Sequence, residues 1–261
     1  MAAGGFFRKL RIIFLLLVLA FVAINAWLTK LRATDWDSPL WVVLYPINGD
    51  GSAESSRYIA TLTEDSFEPI ARFVASEGKR YGLGLAEPVI VKLGPVIHER
   101  PPQPPKPGNT LEIIWWSLKM RYWARRVTNT GNAVPADVQI FVTYYDPGTH
   151  HRLDDSFGLE KGLIGEAKAY AGRKMAPQND VIIAHELLHT LGATDKYDLH
   201  TIQPIYPEGY ADPQRTPRFP QTKAEIMAGR IPLSANEAKI PNGLTAAVIG
   251  YKTAQEINWT E

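Results

Sequence analysis

The hydrophobic pattern divides the chain into strands of period two or unbroken apolar runs, and helices of period 3.6. LWVVLYPI, Leu40–Ile47, is a dense run of β-branched and aromatic residues and predicts a buried strand. Asn48–Ser56 is polar and glycine-rich and predicts a loop. Glu64, Asp65 and Glu68 then place negative charge where a helix starts, and Phe67, Ile70, Ala71 and Val74 form its apolar face until Gly82 and Gly84. Pro88–Ile97 predicts a second strand. RPPQPPKPGN, Arg100–Asn109, predicts a stiff extended connector, since proline lacks the N–H that helices and ladders need. A helix follows from about Thr110 to Val127, with Ile113, Trp116, Met120, Trp123 and Val127 as its core stripe. Lys119, Arg121, Arg125 and Arg126 lie largely off that stripe. They predict a solvated face, with contact to a membrane surface as the alternative. Asp137–Asp146 predicts a third strand and Ile164–Arg173 a fourth. The small and charged residues of the fourth suit an exposed sheet edge. NDVIIAHELLHTLG predicts a helix that Asn179 or Asp180 caps, Ala193–Pro232 is proline-rich loop, and Leu244–Trp259 predicts a C-terminal helix.

The first forty residues have a different pattern. Ile12–Leu28 is uncharged and almost wholly apolar, roughly 25 Å long as a helix, which is marginally enough to cross a bilayer. Arg8, Lys9 and Arg11 precede it, and Lys30 and Arg32 follow. The expected layout is a short cytoplasmic N-terminus (1–11), a transmembrane signal anchor (12–28), a linker (29–39) and one α+β domain (40–261) outside the cytoplasm, periplasmic or extracellular. A cleaved signal peptide and a secreted domain form the alternative. Net charge is +1, so no global field favours nucleic acid. The absence of cysteine excludes disulfides, thiol catalysis and cysteine-ligated metal.

AHELLHTLGATDKYDLH, Ala184–His200, carries the candidate chemistry. On a helix His185 and His189 lie one turn apart on one face and can share a zinc ion. Glu186 is displaced about 100° around the helix, flanking the ion where a general base would stand. Gly192 ends the helix in a conformation open to glycine, and the returning chain offers a third ligand. Asp195 is the first choice; Asp198, His200, Glu208 and Glu225 are rivals. His150 and His151 predict a solvated turn.

HELLHTLGATD resembles the metzincin zinc peptidases, and more narrowly the snapalysin-type form with aspartate in the last ligand position. The resemblance implies zinc on His185, His189 and Asp195, with Glu186 as general base toward a zinc-bound water. It also implies Met227 in a tight turn under the metal. A mostly parallel sheet is implied, with an antiparallel edge strand leading into the motif helix, a place that Ile164–Arg173 fits. A polypeptide substrate would lie extended along that strand. Two positions depart from the commoner pattern: aspartate replaces the third histidine, and Gly229 stands where some members have a tyrosine. Tyr197, Tyr206 or Tyr210 is a candidate replacement. The expected fold is therefore α+β, a twisted mixed sheet of about four strands with packed helices, behind one membrane segment. The expected function is a zinc endopeptidase; the alternative is an inactive, zinc-stabilised module bound at a membrane.

Overall fold

The computed structural model describes residues 11–14, 16–17, 34–105, 109–129, 135–160 and 162–261. The expected anchor, Ile12–Leu28, lies outside these apart from 12–14 and 16–17. No helix among the described residues is long and apolar enough to cross a membrane.

The first apolar run forms β1, Leu40–Asn48. Alternate residues of a strand face opposite sides of its sheet. Leu40, Val42 and Leu44 accordingly join one buried cluster, while Val43, Tyr45 and Ile47 join another. The sheet has five strands in the order β2-β1-β3-β5-β4, with β2 Val89–Leu93, β3 Val138–Tyr145, β4 Phe157–Leu159 and β5 Ile164–Tyr170. Neighbours from β2 to β5 are parallel, and β4 runs antiparallel to β5. Parallel neighbours need crossovers. Helices α1 (Ala53–Ile59), α2 (Glu68–Arg80) and α4 (Ala176–Thr190) supply Ile59, Phe73, Val181 and Leu187 to one face. Helix α3 (Thr110–Thr128) supplies Met120, Trp123 and Ala124 to the other. The fold is therefore mixed α/β, with one core on each face of the sheet.

Several expectations need correction. Ile164–Tyr170 is not the edge strand: it lies between β3 and β4, and all but Tyr170 are buried. Its small residues are buried between the neighbouring strands and α4 instead. A Cβ on Gly165 would lie 2.9 Å from Ile140 Cδ1, and one on Gly158 of β4 only 2.5 Å from His189 Cβ and 2.7 Å from the Glu186 carbonyl. Gly158→Ala should therefore push β4 off α4 and destabilise the fold by about 2–3 kcal/mol, read from the denaturation midpoint. The loop expected at Asn48–Ser56 gives way to α1 from Ala53, capped by the Ser52 hydroxyl accepting from Ser55 N–H. Ile113, assigned to the core stripe, is 48% exposed.

The motif helix starts earlier than expected, at Ala176, with Pro177 in its first turn and no side-chain cap. Asn179 instead bonds both backbone groups of Tyr170, accepting from its N–H at 3.0 Å and donating to its carbonyl at 2.9 Å. Asp180 is buried beside it, and burial pushes its carboxyl up to about 7. A carboxyl raised by folding stabilises the protonated chain. Its contribution is complete below about pH 4 and is lost as pH rises through about 7. Asp180→Asn should thus raise stability by roughly 2 kcal/mol at pH 8 and change little at pH 4, in paired urea titrations.

The expected C-terminal helix is broken. Leu244–Ala246 is a 3-10 turn, Ala247–Val248 (β9) pairs with Ala224–Glu225 (β6), and only Tyr251–Glu256 (α5) is α-helical. Gly250 marks the break, because a Cβ there would meet Glu225 Cγ at 2.7 Å. A second ribbon pairs Ile231–Pro232 (β7) with Ala238–Lys239 (β8).

Candidate metal centre

Helix α4 ends as its sequence suggests. Gly192 takes φ +105°, its N–H donates to the His189 carbonyl, and Ala193 N–H donates to the Leu188 carbonyl. This is the paired-bond exit that a left-handed residue after a helix allows. It also releases the Ala193 carbonyl, which accepts from His189 Nδ1 at 2.8 Å. His185 Nδ1 donates likewise to the Ile226 carbonyl at 2.9 Å. A carbonyl only accepts, so both Nδ1 atoms carry protons, and in the neutral imidazoles both Nε2 atoms present lone pairs.

Those lone pairs converge. Asp195 Oδ1 stands 3.2 Å from each Nε2, and the three ligand atoms lie within 4.8 Å of one another. Three electron-pair donors aimed at one point repel unless a cation lies between them. Two imidazoles and a carboxylate, each imidazole oriented by a carbonyl behind it, suit a divalent metal. The proton-loaded form shows the same tension. Burial opposes charge on His185, yet Asp195, Glu186 and the Ile226 carbonyl push it up to about 9. Burial would raise the Asp195 carboxyl, but the two histidines hold it well below the usual range.

Glu186 is 4% exposed and its Oε2 has no hydrogen-bond partner. Burial pushes its carboxyl up to about 7 against the pull of both histidines. It lines an open cleft of about 490 Å³ together with His185, His189, Asp195 and Tyr197. Tyr197 is pushed up to about 12 by burial and by the charges of Asp195 and Glu186. Tyr206 and Tyr210 pack against each other elsewhere, with ring centroids 5.3 Å apart.

The rival ligands stand apart from the two imidazoles. Asp198 caps its own turn, accepting from the N–H groups of His200 and Thr201 and from the Thr201 hydroxyl. His200 and Glu208 are exposed. Glu225 is fully buried and is engaged by Ala228 N–H, Gly250 N–H and the Thr253 hydroxyl. It thereby fixes the 3-10 turn Ile226–Ala228, in which Met227 is fully buried. That turn supplies the Ile226 carbonyl to His185. It closes at Gly229 with φ +67°, a conformation a tyrosine would hold only under strain. Asp154 and Asp155 line the cleft, but His185, His189 and Asp195 are the one potential metal group among the described residues. His150 sits beside Asp50, 3.6 Å away, rather than at a second centre.

Sequence reasoning missed the tether behind Asp195. Thr194 donates from N–H and hydroxyl to the Glu256 carboxylate, both at 2.9 Å, and buried Lys196 Nζ reaches the same group at 2.7 Å. Lys196 N–H also donates to the Met227 carbonyl. The ligand loop is thus pinned to α5 and to the methionine turn on either side of Asp195. With Lys196 and Glu256 sixty positions apart, no local pattern announces this contact. Lys196→Met should weaken metal binding about tenfold in a competition titration against a chromophoric chelator, without removing a ligand.

Compared with known proteins, the chain matches no family model and no curated sequence.

Proposed function

We propose that the chain is a metzincin-like zinc endopeptidase held at a membrane by Ile12–Leu28, with its folded region outside the cytoplasm. One observation carries the proposal. His185 Nε2, His189 Nε2 and Asp195 Oδ1 converge in a cleft where the buried Glu186 carboxyl is left with an unpartnered oxygen. A purely structural metal has no use for such a group, and its burial costs folding energy.

His185, His189 and Asp195 would hold the zinc ion, which supplies Lewis acidity toward a water and a substrate carbonyl when bound. Glu186 accepts the proton of the attacking water and returns it to the leaving nitrogen. A base near neutrality suits that exchange, and a cation beside it would offset part of the rise that burial causes. Tyr197, which lines the same cleft, would donate to the developing oxyanion in the role that Gly229 cannot fill. The segment Arg152–Ser156, which leads into β4, forms one wall. An extended peptide would run along it, held by main-chain bonds. This moves the expected substrate strand from Ile164–Arg173 to the segment before Phe157.

The test is purified full-length protein in detergent or vesicles, assayed for bound metal and for cleavage of an unfolded polypeptide. The proposal expects one zinc per chain, cleavage lost on chelation, and recovery on adding zinc back. Zinc bound without cleavage of any polypeptide would support the alternative of an inactive, metal-stabilised module.

A further inference from the structure

Helix α3 carries two apolar faces, and only one faces the core. Trp116, Met120, Trp123 and Ala124 pack on the sheet. On the opposite side Leu111, Trp115, Leu118 and Tyr122 fall within a sector of about 60°, with Ile114 about 40° beyond it. These five are 78%, 60%, 49%, 72% and 51% exposed. A surface helix ordinarily turns polar residues outward, and contiguous exposed apolar area of this kind marks an interaction surface.

The chemistry of the surrounding residues selects the partner. The outer face is apolar for three turns and then basic, at Arg125; Arg126 beside it is already paired with the Glu99 carboxylate. Lys119 flanks it, its ammonium 5.5 Å from the Trp115 ring centroid. The one acidic residue of the helix, Glu112, is turned back to cap its start. A second copy would bring the same cations against these, whereas anionic headgroups neutralise them. Tryptophan and tyrosine suit the bilayer interface, with an apolar body and a polar edge. Trp41 adds to the same side: it alternates with Val43 toward the α3 face and is 40% exposed. It stands at the start of β1, where the chain leaves the linker that follows Ile12–Leu28.

We propose that the outer face of α3 docks on an anionic lipid bilayer, laying the domain side-on along the membrane. Trp116 of the same helix packs edge-on against Phe157 of β4, 4.9 Å between centroids, so docking holds the strand that leads from the cleft wall near the lipid surface. The inference rests on the exposed face and not on the chemistry of the cleft.

The absence of native cysteine permits a site-specific test. Leu118→Cys, with Trp115→Cys as a second variant, and Arg57→Cys on α1 as the reference, would each carry a fluorophore on the full-length chain. Vesicles of phosphatidylcholine with phosphatidylglycerol are added, and quenching by aqueous iodide and by a lipid-borne nitroxide is measured. Docking predicts that the labels at 118 and 115 lose iodide quenching several-fold and gain nitroxide quenching, while the label at 57 does neither. Iodide access at 118 and 115 equal to that at 57 overturns the proposal. So does shielding from iodide without nitroxide contact, which would mean that protein covers the face. Flotation of the unlabelled chain with neutral vesicles reports separately on the N-terminal anchor, so either idea can fail alone.

Discussion

Glu186→Gln should bind zinc as the parent does and lose hydrolysis by about 10²–10⁴-fold, the range a positioned general base contributes. The substitution keeps volume and removes only the basic oxygen. That oxygen holds no part of the fold together: Oε2 makes no hydrogen bond. Burying a neutral amide there in place of a carboxyl whose pKa is already near 7 removes a charge from a poorly solvated site. Stability should therefore hold or rise while turnover collapses. Metal content and cleavage rate measured on the same preparation separate the two effects. A variant that retains parental turnover would remove Glu186 from the chemistry.

Asp195→Ala should have the larger effect on metal. His185 and His189 remain, but two imidazoles without the carboxylate lack both the third ligand and the negative charge that offsets the cation. Affinity should fall by at least about 100-fold. If the site holds zinc as proposed, the parent at zinc a thousandfold above its dissociation constant would gain about 4 kcal/mol of stability from the ion. Asp195→Ala should lose most of that gain, seen as a melting temperature that no longer responds to zinc. Without metal the variant should still fold, because the loop is held by Thr194, Lys196 and Glu256 rather than by Asp195. Asp198→Ala and His200→Ala should leave zinc affinity unchanged, since both side chains lie away from the imidazoles.

What could be read from the sequence was local. Leu40–Ile47, the stripe from Trp116 to Trp123 and the His185–His189 pair are short-range patterns, and the structure forms the elements they describe. Gly192 was legible too, because a helix exit has a local signature, and it pointed to Asp195. Several misreadings involve distance along the chain, whereas α1 was missed although its Ser52 cap is local. Gly165, Ala167 and Ala169 look like the residues of a thin edge strand, yet all three are buried, and Gly165 is closed in by Ile140 of β3 and Thr190 of α4. β4 is three residues, Phe157–Leu159, too short for periodicity to reveal. Leu244–Trp259 has helical spacing, but Glu225 occupies the space beside Gly250 and breaks it. The site shows the same division. Its ligands lie within eleven residues, whereas the groups that aim them, the Ile226 carbonyl, Glu225 and Glu256, come from as far as Glu256. The outer stripe of α3 was visible in the spacing of Leu111, Trp115, Leu118 and Tyr122, but a stronger core stripe on the same helix masked it.

The central claim is that His185, His189 and Asp195 together hold a zinc ion over Glu186. Anomalous diffraction at the zinc absorption edge, from crystals of the zinc-loaded protein, tests it most directly. The account predicts one strong peak about 2.0–2.2 Å from His185 Nε2, His189 Nε2 and an Asp195 carboxylate oxygen, with a coordination position open toward the cleft and Glu186 beside it. A peak bound by Asp198, His200 or Glu225, a closed shell of four protein ligands, or no peak at these residues would contradict it.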